Sequence, residues 1–203
     1  IYLEGSDEPV HIQPGTVLEH YLRTIDLCND SQLIQDERGL WGITGGPTEG
    51  ALKVLAAKAS LEPVMTTLVN KIPFDSQYKY MSTHFQLDDE EVVMVTGAPD
   101  VLFALCQQQQ TARGVTPFER SYWEAEMARF ASQGLRMVAA ATKPAAPGAK
   151  TLDHSDLQEG LIFLGIAGMM APPRPEAVDA IHTCQNAGIR VKMITGDHPQ
   201  TDR

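Results

Sequence analysis

Hydrophobic positions along the chain predict helices and strands in alternation. Apolar residues recur at helical spacing over residues 16–29, and a second helix is predicted over 47–60, where Pro47 suits a first helical position. Runs that alternate between apolar and polar residues, or stay apolar, predict strands. The predicted strands cover residues 10–12, 39–44, 68–74, 79–87, 91–97, 135–142 and 160–170.

The segments between these strands add a hairpin, two helices and a loop. The acidic stretch at 88–91 predicts a turn that joins its flanking strands as an antiparallel hairpin. A short helix is predicted over 99–106, and the polar sequence QQQQTARGVTP at 107–117 is predicted to be a loop or flap. A further helix over 118–132 ends at Gly134, which fits a left-handed cap.

The last 35 residues or so have a different pattern. Pro175 begins a predicted helix that runs to Asn186, Gly188 caps it, and residues 189–195 predict a strand that ends in Thr195, Gly196 and Asp197. Strand, helix and strand in this order form the unit of a parallel doubly wound sheet, in which ligands gather at the carboxyl ends of the strands. We therefore expect an α+β fold with a boundary near residue 165. Residues 1–165 would form a mostly antiparallel, twisted sheet flanked by helices, and 166–203 a fragment of a parallel α/β domain.

Composition and charge exclude several classes of protein. The 203 residues are 43% hydrophobic and 21% charged, which is ordinary for a soluble globular chain and not for a disordered one. The net charge of −10 and scattered basic residues exclude a nucleic-acid surface. Cys28, Cys106 and Cys184 are far apart and odd in number, which indicates free thiols in a reducing compartment. No apolar run is long enough to span a bilayer, and the chain begins without Met, so we expect an excised piece with no direct membrane contact.

Several residues admit both a structural and a functional interpretation. Glu49 could simply favour the dipole at the start of a helix, or it could accept a hydrogen bond from an exocyclic amine such as that of adenine. Phe74 could belong to the core, or its ring could stack on a base from the end of a strand. Lys79 could be a solvated strand residue, or the cation that meets a phosphate.

Three further motifs are ambiguous in the same way. The sequence TGAPD, with Thr96 and Gly97, is a tight turn before a helix. Arg136 stands among apolar residues on a predicted strand, where a guanidinium needs a carboxylate or phosphate partner. Pro172, Pro173 and Arg174 form a hinge or a helix cap. The chain contains no GxxxxGK[ST] or GxGxxG phosphate motif, no HExxH, CxxC or GxSxG sequence, and its six histidines are scattered, so no metal site is predicted.

Six sequences in order, GPTEGAL, IPFDSQYKYMS, TGAPD, GLRMVAAA, APPRPEAVDAI and AGIRVKMITGDHPQT, resemble the P-type cation-transporting ATPases, and together they cover nearly the whole chain. The resemblance is to the calcium-pump-like type II branch. It implies a nucleotide-binding domain followed by part of a phosphorylation domain of the haloacid-dehalogenase-like fold. The implied ligands are ATP and Mg²⁺, and the implied partners are the phosphorylation, actuator and membrane domains of a parent pump. The implied location is the cytoplasmic side of a cell membrane, in a bacterium.

The resemblance assigns a role to each candidate residue. Phe74 would stack on adenine, Glu49 would lie near its amine, and Gly97 would lie against its ring. Lys79 would line the pocket and Arg136 would reach the phosphates. Ser76 and Thr96 complete the predicted pocket. Thr195, Gly196 and Asp197 would lie beside the transferred phosphoryl group, and Pro172, Pro173 and Arg174 would form the hinge between the domains.

Two positions depart from the family pattern. Thr96 stands where the family has Lys, which removes a cation and predicts weaker or salt-sensitive nucleotide binding. Ala171 stands where the family has Asp, which puts the hinge in question. The family's phosphorylated Asp-Lys-Thr-Gly-Thr sequence and its Gly-Asp-Gly-x-Asn-Asp magnesium sequence are absent from the 203 residues. We therefore expect this chain to bind ATP without hydrolysing it.

Two alternatives remain open at this point. One is a non-catalytic regulatory module with a vestigial pocket, suggested by Thr96 and Ala171. The other is the cap of a soluble haloacid-dehalogenase-like phosphatase, which would require an Asp-x-Asp motif that the sequence lacks.

Overall fold

The computed structural model describes residues 11–88, 90–146, 148–170 and 175–192. In these residues the chain forms a seven-stranded sheet, a separate two-stranded hairpin, five α-helices and a short 3-10 helix. The helices are α1 (Val17–Leu27), α2 (Pro47–Ala59), α3 (Pro99–Leu105), α4 (Arg120–Ser132) and α5 (Pro175–Asn186), and the 3-10 helix is His154–Leu157. The strands are β1 (Gln32–Gln35), β2 (Trp41–Thr44), β3 (Thr66–Asp75), β4 (Tyr80–Leu87), β5 (Glu90–Gly97), β6 (Cys106–Thr111), β7 (Gly114–Pro117), β8 (Arg136–Pro144) and β9 (Leu161–Met169).

The large sheet is mostly antiparallel, as the sequence predicted. Its strand order is β3-β4-β5-β8-β9-β6-β7, and the described pairings are antiparallel except that between β6 and β9. The predicted hairpin is β4 with β5, and it pairs in register from Tyr80 opposite Gly97 to Leu87 opposite Glu90. The α+β class is therefore confirmed for this part of the chain.

Helices cover both faces of the sheet. Successive residues of a strand point to opposite faces, and in β8 Ala140 packs with α1 and α2 while Ala139 and Ala141 pack with α3. Thr16 caps α1, because its hydroxyl oxygen accepts a hydrogen bond from the Glu19 amide at 3.3 Å. The predicted first helix ends two residues early, at Leu27 rather than at residue 29.

The prediction of a loop over residues 107–117 is wrong. This segment forms β6 and β7, a hairpin at one edge of the sheet. Its polar residues suggested a loop, but Gln109 is buried and its side-chain oxygen accepts hydrogen bonds from the Trp123 indole at 2.7 Å and from the Glu119 amide at 3.2 Å. A buried amide can stay in a sheet when its hydrogen bonds are made by a neighbouring element, here the start of α4.

Some of the elements predicted near the two ends of the chain lie within the described residues. The helix beginning at Pro175 and the left-handed Gly188, with φ of +74°, are confirmed. Of the strand predicted over 189–195, residues 189–192 are described and are not in a strand, and likewise His11 and Ile12 are not in one. The rest of both predicted strands lies outside the described residues.

The predicted boundary near residue 165 falls inside β9. This strand continues to Met169, which pairs with Arg136, so the sheet itself extends past that point. The second domain over 166–203 stays a prediction. The motif residues Thr195, Gly196 and Asp197, the hinge residues Pro172, Pro173 and Arg174, and Ala171 lie outside the described residues. Among the helices that are described, none combines the length and the apolar character that a membrane crossing requires.

Candidate functional site

A cleft of about 940 Å³ lies at the end of the sheet where β3 and β5 end and β4 and β8 begin. Its walls are the first turn of α2, the ends of β3 and β5, the starts of β4 and β8, and one side of α4. Small-molecule sites are typically clefts of about 300–1,000 Å³, so this one could hold a nucleotide. Six of the seven residues predicted to bind nucleotide line it: Glu49, Phe74, Lys79, Thr96, Gly97 and Arg136.

Ser76 is the predicted residue that does not line the cleft. It lies exposed in the turn between β3 and β4. Asp75 organises this turn, since its carbonyl accepts from the Lys79 amide at 2.7 Å and its carboxylate from the Gln77 amide at 2.7 Å. A role for Ser76 in binding stays a prediction.

Phe74 presents its ring at the cleft. It is the next-to-last residue of β3, and 56% of its surface is exposed. Burying a Phe side chain stabilises a fold by about 1.5–3 kcal/mol, and Phe74 gains only part of this. The exposure excludes the core interpretation and leaves an aromatic face available for stacking.

Lys79 lies at the cleft with a carboxylate beside it. Its backbone is left-handed, with φ of +57°, and its Nζ lies 3.5 Å from Oδ2 of Asp100. Both side chains are more than half exposed, and exposed pairs of this kind contribute about 0–1 kcal/mol. A bound anion could therefore displace Asp100 from Lys79 at little cost. Asp100 also lines the cleft; the sequence prediction missed it, although it is the last residue of the TGAPD turn.

Gly97 is required by a close approach between strands. A Cβ atom there would lie 2.6 Å from the Lys79 carbonyl oxygen and 2.6 Å from Cβ of Tyr80. The next amide, that of Ala98, donates to the Lys79 carbonyl at 2.9 Å. The turn that contains Gly97 is thus locked against the start of β4, and this fixes the backbone that carries Lys79.

Glu49 has the structural role that its sequence position indicated, and it also lies at the cleft. It lies in the first turn of α2, whose N-cap Gly46 has no side chain to cap the helix. A Cβ on Gly46 would be 3.2 Å from Oε2 of Glu49, so the carboxylate folds over the helix start, where the dipole favours a negative charge. The same half-buried side chain lines the cleft.

Thr96 has a structural role in place of the missing cation. It is buried, and its hydroxyl donates to the Cys28 carbonyl at 3.1 Å, which ties β5 to the end of α1. Burial also raises the pKa of the Cys28 thiol. Among the described residues that line the cleft, the charged side chains are two cations and two carboxylates: Lys79, Arg136, Glu49 and Asp100.

Arg136 begins β8 and lies at the edge of the cleft. Its backbone pairs with Met169, and its side chain is exposed. The neighbouring Met137 and Val138 also line the cleft, so Arg136 adjoins an apolar part of its lining. This placement fits a group that meets the charged end of a ligand whose apolar part lies deeper.

Comparison with known proteins identifies the family. The sequence model described as P-type ATPase, cytoplasmic domain N, matches residues 17–176. The chain belongs to the P-type cation-transporting ATPases. The matched region contains the sheet, α1 to α4 and every described residue of the candidate site.

Curated relatives of this P-type ATPase domain are also cation-transporting ATPases. The chain is 44% identical over 191 residues to cation-transporting ATPase pma1 of Synechocystis, covering 91% of this chain and 21% of that protein. It is 36% identical over 198 residues to the sodium/potassium exporting P-type ATPase cta3 of Schizosaccharomyces pombe, covering 93% of this chain and 19% of that protein. It is 32% identical over 204 residues to a calcium-transporting ATPase of Bacillus subtilis, covering 97% of this chain and 23% of that protein. The chain thus spans about a fifth of the length of these relatives.

Proposed function

We propose that this N domain binds ATP in the cleft and delivers the γ-phosphoryl group to an Asp outside the 203 residues, so that phosphorylation drives cation transport. One observation carries the proposal: residues from four separate sequence motifs line one cleft of suitable size. In the sequence, 25 or more residues separate Glu49 from Phe74 and Phe74 from Arg136. Only the fold brings these residues together.

The cleft offers a distinct group to each part of ATP. The exposed ring of Phe74 stacks on adenine, and the Glu49 carboxylate accepts a hydrogen bond from the adenine amine. Lys79 and Arg136 meet the phosphates, with Asp100 released from Lys79 as they bind. Gly97 keeps the β5 turn tight against β4 so that the base can lie against it.

Phosphoryl transfer needs groups beyond this chain. An Asp carboxylate attacks the γ-phosphorus and ADP leaves, while Mg²⁺ that enters with ATP offsets the charge. The 203 residues contain no Asp-Lys-Thr-Gly-Thr sequence to supply that Asp, so we expect the chain alone to bind ATP and not to hydrolyse it. The parent pump would supply the phosphorylation, actuator and membrane domains and would hold this domain on the cytoplasmic side of a bacterial cell membrane.

Residues 166–203 are proposed to begin the phosphorylation domain, with a haloacid-dehalogenase-like fold. In the described part of this segment, α5 leaves Val178 and Ile181 at 38% and 41% exposure. An amphipathic helix normally buries such a stripe, and the remainder of that domain would cover it. Thr195, Gly196 and Asp197 would then lie beside the transferred phosphoryl group, with Pro172 to Arg174 as the hinge.

ATP titration of the 203-residue chain tests the proposal. Phe74→Ala should weaken ATP binding by about 1–3 kcal/mol through lost stacking and should change stability little, because the ring is largely exposed. Tyr122→Ala is the matched control, since Tyr122 is 54% exposed on α4 and does not line the cleft. Calorimetry measures the affinity, and phosphate release measures hydrolysis. Equal effects of the two substitutions would contradict the stacking role.

A non-catalytic regulatory module is the second candidate. The balance of two cations and two carboxylates in the cleft favours it, because ATP is strongly anionic. An affinity near millimolar or tighter supports a working pocket, whereas no measurable binding supports the regulatory alternative. The family membership and the absence of an Asp-x-Asp motif argue against a phosphatase cap.

A further inference from the structure

Asn29 connects the end of α1 to the first turn of α2 beside the cleft. Its side-chain nitrogen donates to the Ile25 carbonyl at 3.0 Å and to the Glu49 carbonyl at 2.9 Å. Its side-chain oxygen accepts from the Ser31 amide at 2.8 Å. Both amide hydrogens and the oxygen therefore have protein partners, and the residue itself lines the cleft.

This geometry requires an amide at position 29. Two carbonyl oxygens face the side-chain nitrogen and one N–H faces the oxygen, so only an Asn-like group matches all three partners. An Asp would keep the bond to Ser31 but would set an oxygen against the carbonyls of Ile25 and Glu49. The position therefore discriminates between two side chains of nearly the same shape.

The contact reaches a residue that the proposed function needs. The first turn of α2 has no side-chain cap at Gly46, and helix ends without caps fray readily. Asn29 holds that turn through the Glu49 backbone, and Ser31 adds a hydroxyl bond to the Gly46 carbonyl at 3.3 Å. Holding the backbone fixes the point from which the Glu49 side chain reaches the cleft.

We propose that Asn29 is a positioning residue that sets the purine selectivity of the cleft by orienting Glu49. The inference rests on the proposed ATP function. A carboxylate held in place accepts from the amine of adenine and repels the carbonyl oxygen that hypoxanthine carries at the same ring position. The selectivity for ATP over inosine triphosphate (ITP) therefore depends on Asn29, although Asn29 need not touch the base.

The test measures the affinities of the 203-residue chain for ATP and for ITP by calorimetry. Wild type should prefer ATP. Asn29→Asp should lower the ratio of the two affinities about tenfold, which corresponds to about 1.4 kcal/mol. Its added charge weakens binding of both triphosphates alike and so cancels in the ratio. Asn29→Ala removes the donors without adding an oxygen and should lower the ratio in the same direction, which keeps the test available if the Asp variant does not fold.

A double-substitution cycle separates positioning from general loosening. If Asn29 acts through Glu49, Asn29→Asp should change the ratio no further in a Glu49→Gln background, because coupled residues are not additive. Lys53→Met is the control. Lys53 joins the same two helices through the Asp26 carbonyl and carboxylate, at 2.6 and 2.8 Å, without lining the cleft, so it should lower the melting temperature and leave the ratio unchanged.

The outcomes distinguish the two proposals. If wild type binds neither nucleotide, the ATP function fails and this inference fails with it. If wild type binds ATP and ITP equally, or if Asn29→Asp weakens both without changing their ratio, ATP binding survives and the positioning role is overturned. An equal fall of the ratio in Lys53→Met would also overturn it, since mere contact between the helices would then account for the effect.

Discussion

A methyl group added at Gly97 tests the close approach between the end of β5 and the start of β4, which lie at the cleft. In Gly97→Ala the new Cβ would lie 2.6 Å from the Lys79 carbonyl oxygen and 2.8 Å from Cα of Tyr80. These are backbone atoms, which cannot rotate away as the end of a flexible side chain can. Gly97 also pairs with Tyr80 on one side and Ala139 on the other, in the interior of the sheet. The start of β4 must therefore move.

The size of the effect follows from two terms. Forcing an extra methyl group into a packed site costs about 1–3 kcal/mol. The displaced Lys79 carbonyl also loses its 2.9 Å bond from the Ala98 amide, and such a bond contributes about 0.5–1.5 kcal/mol. We expect a loss of about 2–4 kcal/mol in the free energy of unfolding, which for a chain of this size lowers the melting temperature by roughly 5–15 °C.

Urea unfolding and ATP calorimetry on the same variant measure the two consequences. ATP binding should weaken as well, because Lys79 moves with the strand. Gly42→Ala is the control, since Gly42 lies in β2 and its added Cβ would meet side-chain atoms of Ile34 no closer than 3.5 Å; it should change stability by less than about 0.5 kcal/mol. A Gly97→Ala protein with wild-type stability and affinity would refute the argument from close approach.

The remaining predictions concern Thr96 and the cysteines. Thr96→Lys should tighten ATP binding by up to about 1 kcal/mol at low salt. It should also cost about 1–3 kcal/mol of stability, because the Cys28 carbonyl loses its hydroxyl donor; Thr96→Val should show this loss of stability without the gain in affinity. Equal ATP affinities of Thr96→Lys at 50 mM and 500 mM salt would contradict a phosphate contact by the new lysine. Burial raises the pKa of Cys106 to about 12 and also raises that of Cys28, so at pH 8 both stay protonated and should react slowly with a disulfide reagent, while the partly exposed Cys184 reacts fast. Absorbance should record one fast thiol in the native chain and three after unfolding, and three fast thiols in the native chain would show that the core is not closed around Cys28 and Cys106.

Local sequence patterns were sufficient for most helices and for the central hairpin. The apolar spacing before residue 29 and Pro47 at the start of α2 predicted two helices to within about two residues, since the signals for these elements lie inside the elements themselves. The loop prediction for residues 107–117 was wrong because the signals that stabilise this segment lie outside it. Its strands are stabilised by partners elsewhere in the chain, β9 and Trp123.

Some residues of the candidate site could be identified from the sequence, and others only from the structure. Glu49, Phe74, Lys79 and Arg136 were identifiable by residue type and by resemblance, and each lines the cleft. Asp100 and Asn29 were missed. Asp100 has a role at the site because it lies beside Lys79, and Asn29 has one because its side-chain amide donates to the Glu49 carbonyl. In both pairs the two residues are far apart in the sequence.

The sequence by itself determined most of the elements, the α+β class and the family, because periodicity, turn residues and motif order are properties of short segments. Tertiary structure decided which residues share the cleft, why Gly97 tolerates no side chain, and why Thr96 is a hydrogen-bond donor to α1 rather than a lost cation. These depend on distances between atoms that are many residues apart, such as the 3.1 Å from the Thr96 hydroxyl to the Cys28 carbonyl. Such distances are set only when the sheet and its helices pack together.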